Sequence, residues 1–367
     1  MTRLRAELSS RSYDVLVARG ALAELGAALA PLRAPGKAVV CCDENVASLY
    51  LDAARESLRG AGFSVSQLVI PAGESEKSLG RAAEIYGVLY DRGVRRRDVL
   101  VALGGGVMGD LIGYVAATYL RGVGLVQAPT TLLAQVDAAV GGKVAVDFRA
   151  GKNYVGTFYQ PLLVLADPDT LGTLPPRELR SGAAEVAKYG FLAGGTLFEA
   201  VEALGVSTQT GHEDVVHGIG EELIAGCVAE KLAVVARDER EETGERAVLN
   251  LGHTVGHAIE AATAFSRYTH GEAVGLGLRA ALWLSERLCR LPGADVERGL
   301  HLLDAIGLPQ RFRGATPDTV RELTARDKKA GADGVEFVLL EGFGRPRLRV
   351  HVPAGLLEEV VTWLSAP

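Results

Sequence analysis

Residues 98–117 carry the stretch that decides the fold, DVLVALGGGVMGDLIGYVAA. Its pattern predicts a buried strand, a glycine turn and an apolar helix, and Gly104, Gly106 and Gly109 satisfy the spacing GxGxxG. Glycines in such a turn let the backbone approach a pyrophosphate, and the following helix N-terminus supplies N–H donors and a partial positive charge. Alone, the glycine pattern also fits a packing turn, but its place between a strand and a helix favours a phosphate cradle.

The segments on either side of this stretch repeat the alternation of strand and helix. Helical patterns such as residues 21–32 and 79–93 separate the other strand-type runs, which are SYDVLVAR (12–19), KAVVCCD (37–43), SVSQLVI (64–70), GLVQAPTT (124–131) and LLVLADP (162–168). This alternation is typical of βα units around a largely parallel sheet. From LPPRELRSGAAEVAKYG (174–190) onward, the apolar residues recur with helical periodicity.

A chain of 367 residues exceeds what one hydrophobic core usually organises, so two domains are expected. Pro175 and Pro176 mark a natural boundary, because proline disfavours helix before it and suits the first turn after it. The sequence therefore predicts an α/β nucleotide-binding domain over residues 1–175 and an all-α domain over residues 176–367. We expect the chemistry in the cleft between them, at the carboxyl ends of the strands.

Composition and charge exclude several classes of function. The formal net charge is −6 and no dense basic run with interleaved aromatic residues occurs, which argues against nucleic acid as a partner. The long apolar stretches are glycine-rich and interrupted by charges such as Asp110, so no membrane span is expected. The four cysteines lack CxxC spacing, and two of them, Cys41 and Cys42, should point to opposite faces of a strand. Small buried thiols in a reducing cytoplasm are the interpretation we favour.

A nucleotide site also needs a group for the ribose. The acidic residue that usually stands about 20 positions after the glycine turn is missing. Asp43, at the end of an earlier predicted strand, and Glu74, in PAGESEKS (71–78), are better placed to bind ribose hydroxyls. A turn residue and a helix-terminal acid are the alternatives for these two carboxylates. If both bind the ribose, the order of strands differs from that of the simple dinucleotide fold.

Lysines beside glycine turns indicate a pocket for a small anion within an acidic protein. Residues 141–143 and 151–153 each place a lysine, Lys143 and Lys152, beside a flexible turn, which suits binding a phosphate or carboxylate. A pair of solvated loop lysines is the alternative. The surrounding segment adds further polar candidates, which are Arg121, Thr130, Thr131, Asp137 and Asn153.

The stretch LNLGHTVGHAIEA (249–261) places His253 and His257 four residues apart on a predicted buried helix. Residues at this spacing share a helix face, so the histidines fit a metal-binding pair, a proton relay or two packed core imidazoles. A catalytic zinc ion takes three protein groups and keeps a position open for substrate. Glu185, on a predicted helix, and His270, at a predicted helix start, are the candidate further ligands.

The charged run before the histidines, RDEREETGER (237–246), has the composition of a solvated face. Because the run leads straight into the histidine helix, it can instead supply a carboxylate base, Glu241, and an arginine clamp, Arg246. Lys231 and Asn250 lie in the same region, and Lys188 follows Glu185 by one helical turn.

The ordered motifs of the chain resemble those of the 3-dehydroquinate synthase family, of the sugar-phosphate cyclase superfamily, over almost the whole length. The motifs that carry the resemblance are GESEKS (73–78), LGGGVMGDL (103–111), RGVGLVQAPTTLLAQVDAAVGGK (121–143), GKNYVGTFYQP (151–161), LPPRELRSGAAEVAKYG (174–190), RAVLNLGHTVGHAIE (246–260), HGEAVGLG (270–277) and RDKK (326–329). Many members have hydroxyl residues where this chain has Ala138, Ala139 and Val144, and the effect on substrate choice stays open.

The resemblance implies a phosphate-eliminating carbon–oxygen lyase of the shikimate pathway with bound NAD and a divalent metal, Zn²⁺ or Co²⁺. Its substrate is a small sugar phosphate, 3-deoxy-D-arabino-heptulosonate 7-phosphate, which becomes 3-dehydroquinate and phosphate. The family oxidises the ring C5 hydroxyl transiently with NAD, eliminates phosphate, reduces the ketone back, and opens and closes the ring by an aldol step. NAD is therefore regenerated in each turnover.

The resemblance also implies roles for individual residues. The implied metal ligands are Glu185, His253 and His270, and the implied proton acceptors are Glu241 and His257, although the leaving phosphate can itself serve as a base. The implied substrate contacts are Arg121, Asp137, Lys143, Lys152, Asn153, Lys188, Lys231, Arg246, Asn250, His257, Lys328 and Lys329, of which Lys143, Lys188, Arg246, Asn250 and His257 count as catalytic together with Glu241. The implied NAD contacts are Asp43, Asn45, Glu74, Lys77, Gly105, Gly106, Val107, Asp110, Thr130, Thr131, Lys143, Lys152, Thr170 and Thr173. Arg121 matches an arginine that reaches the site of a neighbouring subunit, so a homodimer is implied.

Three alternatives compete with this interpretation. Another cyclase, such as 2-deoxy-scyllo-inosose synthase or amino-dehydroquinate synthase, would share the motifs, but Lys231 and Arg246 favour a substrate that carries a carboxylate. A metal-dependent alcohol dehydrogenase of the glycerol dehydrogenase type would release NADH and would not need the two lysines of the GGK and GKN turns. A non-catalytic NAD-binding protein would be expected to have lost a ligand or a lysine.

Overall fold

The computed structural model describes residues 1–149, 151–207, 218–327 and 334–366, without the side chains of 205–207 and 326–327. The chain divides into two compact units, Met1–Leu174 and Pro175–Pro367. The division falls one residue before the boundary that the proline pair suggests.

The first unit is built on a largely parallel sheet. Its strands are β1 (Thr2–Ala6), β2 (Tyr13–Val17), β3 (Lys37–Asp43), β4 (Ser64–Ile70), β5 (Val99–Gly104), β6 (Gly124–Pro129), β7 (Lys143–Phe148), β8 (Gly151–Phe158) and β9 (Leu163–Ala166). Seven of them form one sheet in the order β1-β2-β9-β6-β5-β3-β4, in which only the β1–β2 pair is antiparallel. The prediction of a parallel-dominated α/β sheet is confirmed.

Helices cover both faces of this sheet. They are α1 (Leu25–Leu29), α2 (Glu44–Gly60), α3 (Leu79–Asp91) and α4 (Gly106–Thr118). One core cluster joins α1 and α2 to Cys42, and a second joins α3 and α4 to Cys41. The adjacent cysteines therefore point to opposite faces, as the strand alternation predicts. All four cysteines, including Cys227 and Cys289, are buried thiols.

The order of the parallel strands reverses between β3 and β5. From β3 the chain moves to β4 on one side and then returns to the other side of β3 as β5, with β6 and β9 following outward. Numbered among themselves, these five strands lie in the order 2-1-3-4-5, which differs from the dinucleotide-binding order. In such sheets a ligand crevice forms at the reversal, outside the carboxyl ends of the strands. Here those ends are Asp43 and Gly104.

A separate antiparallel hairpin, β7 and β8, stands where the lysine and glycine pairs predict two flexible loops. A turn does precede Lys143, because Gly141 and Gly142 lie outside the strand at φ +90° and +72°. The loop interpretation is wrong for residues 151–153, which begin β8, because alternating apolar residues in KVAVDF pair with GKNYVGTF across the hairpin. Lys143 and Lys152 are therefore strand residues.

The second unit is mainly helical, as predicted. Its described helices are α5 (Pro176–Ala193), α6 (Gly195–Ser207), α7 (Glu221–Arg237), α8 (His253–Ala262), α9 (His270–Cys289), α10 (Gly293–Ala305), α11 (Pro317–Asp327) and α12 (Ala354–Leu364). A capping box of Thr269 and Glu272 starts α9, since each side chain bonds the backbone N–H of the other residue. Over the part of the chain that the structure describes, no helix meets the length and hydrophobicity that a membrane crossing requires.

The all-α description of this unit needs one correction. An antiparallel hairpin of β10 (Val335–Gly342) and β11 (Arg345–Val352) lies between α11 and α12. Its strands bury Phe337 and Leu339 on β10, while β11 is mostly exposed. A short hairpin of this kind gives a weak sequence signal beside long periodic helices.

Candidate cofactor and metal sites

The glycine turn lies at the carboxyl end of β5, where the strand order reverses. Gly104 has φ +155°, and a Cβ added there would stand 2.8 Å from Cγ of Met108. A Cβ added to Gly105 would stand 3.0 Å from Cγ2 of Thr131. Since α4 begins at Gly106, the N–H groups of its first turn, including that of Val107, lie at this edge. The geometry suits an anion such as a pyrophosphate.

Asp43 lies beside this turn at the end of the neighbouring strand, β3. Its Oδ1 accepts a hydrogen bond from the N–H of Val46 at 3.0 Å, so the residue does cap α2. Its Oδ2 points the other way and lies 3.9 Å from the Cβ position of Gly104. Capping and ribose binding are thus compatible, because each uses a different oxygen. Asn45 is an exposed residue in the first turn of α2.

The ammonium group of Lys77, an implied NAD contact, lies near two other implied contacts, Glu74 and Asp110, and near Asp147. Nζ of Lys77 lies 2.8 Å from Oε1 of Glu74, 3.4 Å from Oδ2 of Asp110 and 3.8 Å from Oδ1 of Asp147. Although burial opposes the charge on Lys77, which is 5% exposed, the surrounding carboxylates raise its pKa. Asp147 is missing from the sequence prediction, where only its position four residues before Gly151 could have drawn attention to it.

One of the threonines implied as NAD contacts, Thr170, is bonded by Gln135, which the sequence prediction also omits. Nε2 of Gln135 donates to Oγ1 of Thr170 at 3.0 Å, to the Asp167 carbonyl at 2.9 Å and to the Pro129 carbonyl at 3.2 Å. Gln135 therefore ties the segment after β6 to the segment after β9. The other three threonines make hydrogen bonds of their own. The N–H of Thr130 donates to the Gly104 carbonyl, and Oγ1 of Thr131 accepts from the N–H of Ala134. Oγ1 of Thr173 is hydrogen-bonded to the hydroxyl of Tyr50.

The two lysines of the expected anion pocket do not meet on the hairpin. Lys143 pairs with Phe158, whereas Lys152 lies near the turn, four residues and about 13 Å further along the ladder. Nζ of Lys152 is instead 3.9 Å from Oε1 of Glu74, and the N–H of Asn153 donates to Oδ1 of Asp147 at 2.8 Å. Lys152 and Asn153 thus belong with Lys77, Glu74, Asp110 and Asp147, a set that we call the Lys77 group. Of the other members of the pocket, Asp137 lies in a π-helical turn and Arg121 is exposed at φ +63°.

In the second unit, glycines bring three helices into close contact. A Cβ added to Gly271 on α9 would stand 1.8 Å from the Ser181 carbonyl oxygen of α5. A Cβ added to Gly277 would stand 1.7 Å from the Gly252 carbonyl oxygen, just before α8. Only glycine permits these approaches. They set the first residues of α8 and α9 beside the α5 turn that follows Ser181.

The result is a cluster of the three implied metal ligands. Nε2 of His253 lies 3.4 Å from Oε1 of Glu185, and Nε2 of His270 lies 3.3 Å from the same oxygen. One ligand atom from each residue lies within 4.8 Å of the other two. Glu185 is fully buried, and neither of its oxygens accepts a hydrogen bond of good geometry, although Nζ of Lys188 lies 2.5 Å from Oε2. Two imidazoles and such a carboxylate fit a zinc-type ion.

The electrostatics of the cluster follow from burial and close pairing. Burial lowers the pKa of His253. Burial also opposes a charge on Glu185, but Lys188 and His253 hold the pKa of that carboxyl well below its usual range. Burial likewise opposes a charge on His270, yet the close approach of the Glu185 and Glu260 carboxylates raises its pKa to about 10. A metal ion must displace this proton, so metal uptake releases a proton.

His257 lies outside the cluster that contains Glu185. Its ring stands edge-on to that of His253, with centroids 5.2 Å apart, and the residue is exposed. A second possible ligand group shares His270 and consists of His257, Glu260 and His270. Glu260 is buried and its Oε2 lies 3.3 Å from Nδ1 of His270, so it can orient that ring. Glu260 is absent from the sequence prediction.

Three of the cations implied as substrate contacts are buried in this unit. Lys188 and Arg246 are 1% and 2% exposed, and Lys231 is also buried on α7. Asn250 ends a 3-10 turn, Glu245–Asn250, that leads towards His253. Lys328 and Lys329 lie outside the described residues.

The charged run is only partly a solvated face. Glu241 and Glu245 are exposed, whereas Asp238 and Arg246 are buried. Nη1 of Arg246 donates to the Glu239 carbonyl at 2.7 Å. Although burial opposes ionisation of Asp238, hydrogen bonds from backbone N–H groups lower its pKa to about 2. Asp238 is a further residue that the sequence prediction omits.

The family models of the 3-dehydroquinate synthase N-terminal and C-terminal regions match residues 67–181 and 182–330. The 3-dehydroquinate synthase of Nitrobacter hamburgensis is 45% identical over 350 residues, covering 92% of this chain and 89% of the relative. That of Gloeobacter violaceus is 43% identical over 365 residues, covering 99% of each chain.

Solved structures extend the comparison. A 2-deoxy-scyllo-inosose synthase complexed with carbaglucose-6-phosphate, NAD⁺ and Co²⁺ is 28% identical with a TM-score of 0.87, covering 98% of this chain and 99% of that one. A 2-epi-5-epi-valiolone synthase from Streptomyces hygroscopicus with NAD⁺ and Zn²⁺ bound is 30% identical with a TM-score of 0.87, covering 98% of both chains. A glycerol dehydrogenase from Schizosaccharomyces pombe, covering 95% of this chain and 88% of that one, is 18% identical with a TM-score of 0.63 and shares the fold alone.

The fold and the full-length similarity place the chain in the class of sugar-phosphate cyclases. Within this class the chain belongs to the 3-dehydroquinate synthase family. The resemblance carried by the sequence motifs is therefore confirmed.

Proposed function

We propose that the chain converts 3-deoxy-D-arabino-heptulosonate 7-phosphate to 3-dehydroquinate and phosphate, as a carbon–oxygen lyase of the shikimate pathway. One structural observation carries the proposal, which is the meeting of Glu185, His253 and His270 within 4.8 Å in a chain of this family. The cofactors named with the solved cyclases, NAD⁺ with Co²⁺ or Zn²⁺, support NAD and a divalent metal for this chain.

The residues that would hold the two cofactors lie in different units. Glu185, His253 and His270 would hold the metal, while the glycine turn, Asp43 and the Lys77 group would hold NAD. When bound, the metal supplies Lewis acidity to neighbouring hydroxyls, and NAD accepts and returns a hydride.

The cations of the second unit account for the charge of the substrate, which carries a phosphate and a carboxylate. Lys188, Lys231 and Arg246 are buried, so their interactions with an anion are weakly screened by solvent. The planar guanidinium of Arg246 matches a carboxylate with two parallel hydrogen bonds, whereas a lysine binds a phosphate as a point charge. We assign these residues to binding and orienting the substrate.

Glu241 and His257 would move protons. An imidazole can accept and return protons near neutral pH. Glu241 is exposed and holds φ +59°, a conformation that is uncommon for a residue with a side chain and is often kept at functional sites. We further propose a cytoplasmic homodimer in which the exposed Arg121 reaches the neighbouring subunit's site.

The decisive experiment follows phosphate release from the heptulosonate phosphate with NAD and Zn²⁺ supplied. We expect stoichiometric phosphate and 3-dehydroquinate, no net accumulation of NADH, and loss of turnover after chelation with recovery on adding Zn²⁺. Steady NADH accumulation would instead support a dehydrogenase, and no phosphate release would support a non-catalytic protein. Turnover of an amino or inosose-type substrate at a higher kcat/KM would shift the assignment to another cyclase.

Glu260→Gln tests whether this carboxylate supports the metal site. Because Glu260 orients the ring of His270, the variant should bind Zn²⁺ about 10–100-fold more weakly while keeping its fold. Zn²⁺ affinity is measured by competition with a chromophoric chelator, and folding by thermal unfolding of the metal-free protein. Glu286→Gln, which removes a carboxylate from a half-exposed ion pair on α9, is the control. Equal affinities in the two variants would contradict the role of Glu260.

A further inference from the structure

The carboxylate of Asp238 organises the loop that follows α7. Its Oδ1 accepts hydrogen bonds from the N–H groups of Glu242 at 2.8 Å and Thr243 at 3.2 Å. Its Oδ2 accepts from those of Gly244 at 3.0 Å and Arg246 at 3.1 Å. Asp238 is 4% exposed, so water competes little for these four bonds. One side chain therefore fixes four of the five peptide N–H groups that follow Glu241.

This loop carries two groups that the proposed reaction uses. Glu241 precedes the first bonded N–H group and holds a left-handed backbone conformation. Arg246 supplies the last bonded N–H group, and its guanidinium is buried against the Glu239 carbonyl. Gly244 has φ +83° between them, so the backbone turns sharply inside the loop. The directions of the two side chains thus depend on how the backbone is held.

We propose that Asp238 is a positioning residue, whose carboxylate holds residues 241–246 so that Glu241 and Arg246 act on the substrate. This inference rests on the proposed function. An ionised carboxylate can accept all four bonds, whereas a carboxamide directs an NH₂ group at two of the donors. Because the pKa of Asp238 is depressed, its contribution is present above the pKa of an unfolded aspartate and is lost only as the pH falls towards about 2. Its effect should therefore be constant through the neutral range.

The test compares Asp238→Asn with Glu245→Gln in the full chain with Zn²⁺ and NAD. Glu245 lies in the same loop, but its carboxylate is exposed and makes a surface ion pair with Arg237 at 3.2 Å. Both variants remove one negative charge. We expect Asp238→Asn to lower kcat/KM about 10–100-fold, since small misplacements of reacting groups are costly, while Zn²⁺ content stays unchanged. Glu245→Gln should match the unsubstituted protein.

Amide hydrogen exchange supplies a readout that a general loss of stability would not reproduce. Exchange in Asp238→Asn should accelerate at residues 242–246 and stay unchanged in α7 and α9. Acceleration throughout the unit, or loss of Zn²⁺, would overturn the proposal, as would a kcat/KM equal to that of Glu245→Gln.

If Asp238→Asn does not fold, Asp238→Glu keeps the charge and displaces the carboxylate by one methylene. It should show the same loss of kcat/KM and the same local acceleration of amide exchange, and unchanged kcat/KM would overturn the inference. Absence of phosphate release by the unsubstituted protein would refute the proposed function instead. The two failures are therefore distinguishable.

Discussion

His253→Ala is expected to lose bound metal and phosphate release together, whereas His257→Ala should keep the metal and lose rate. Nε2 of His253 approaches the Glu185 oxygen that His270 also approaches, so the substitution removes one of three ligands. Loss of the metal's Lewis acidity costs several kcal/mol of transition-state stabilisation, or about 1,000-fold in kcat. Removal of a proton-transfer histidine alone costs about 10²–10⁴-fold with the metal in place.

The two variants also decide between overlapping ligand groups, because His257, Glu260 and His270 lie within 4.8 Å of one another as well. Metal content is measured by atomic emission after gel filtration, alongside kcat. His301→Ala, at an exposed histidine of α10, is the control and should change neither quantity. Metal loss in His257→Ala with retention in His253→Ala would place the ion in the second group. Equal loss in both variants would refute the division of roles.

The fold could be predicted well because its main signals are local. The glycine turn at residues 104–106 follows a fully buried strand and opens a helix, and that pattern needs no knowledge of distant residues. The hairpin of β7 and β8 was not predicted, because lysine and glycine pairs resemble turns until the partner strand is known. The register of the two strands then sets the distance between Lys143 and Lys152, and no local sequence pattern predicts that distance.

The candidate metal site shows a similar limit. Residue types and helical spacing single out His253 and His257 but leave open which of them meets Glu185. That choice depends on close packing at Gly271 and Gly277, which can be recognised only when the neighbouring helices are known. Asp238 was missed for another reason. Within a run of charges, burial of one carboxylate under four backbone donors leaves no periodic signal.

Lys77→Met is expected to destabilise the first unit and to weaken NAD binding. The substitution leaves Glu74, Asp110 and Asp147 facing one another without their shared cation. Removing one partner of a buried ion pair costs about 3–5 kcal/mol, and the lower end applies because the three carboxylates are 18–41% exposed. We therefore expect the free energy of unfolding to fall by about 3 kcal/mol and the Kd for NAD to rise at least about tenfold.

The pH dependence identifies repulsion among the carboxylates as the cause. In the unsubstituted protein the pKa of Lys77 is raised, so its contribution is complete at neutral pH and is lost only in strongly alkaline solution. In Lys77→Met, the destabilisation comes from repulsion among negative charges, so stability should recover as the solution is made acidic towards about pH 5. Chemical denaturation at several pH values measures this recovery, and isothermal titration measures NAD binding.

Lys37→Met is the matched control, because it removes the same charge from the amino end of β3 in the same unit. Lys37 is exposed, and its Nζ donates to the carbonyls of Arg92 at 2.7 Å and Gly93 at 2.9 Å. Its loss should cost about 1 kcal/mol and leave NAD affinity unchanged. If Lys77→Met is destabilised but binds NAD normally, the group around Lys77 serves the fold and not the cofactor. If Lys77→Met matches Lys37→Met in the free energy of unfolding and in the Kd for NAD, solvent already screens the three carboxylates and the buried cation is dispensable.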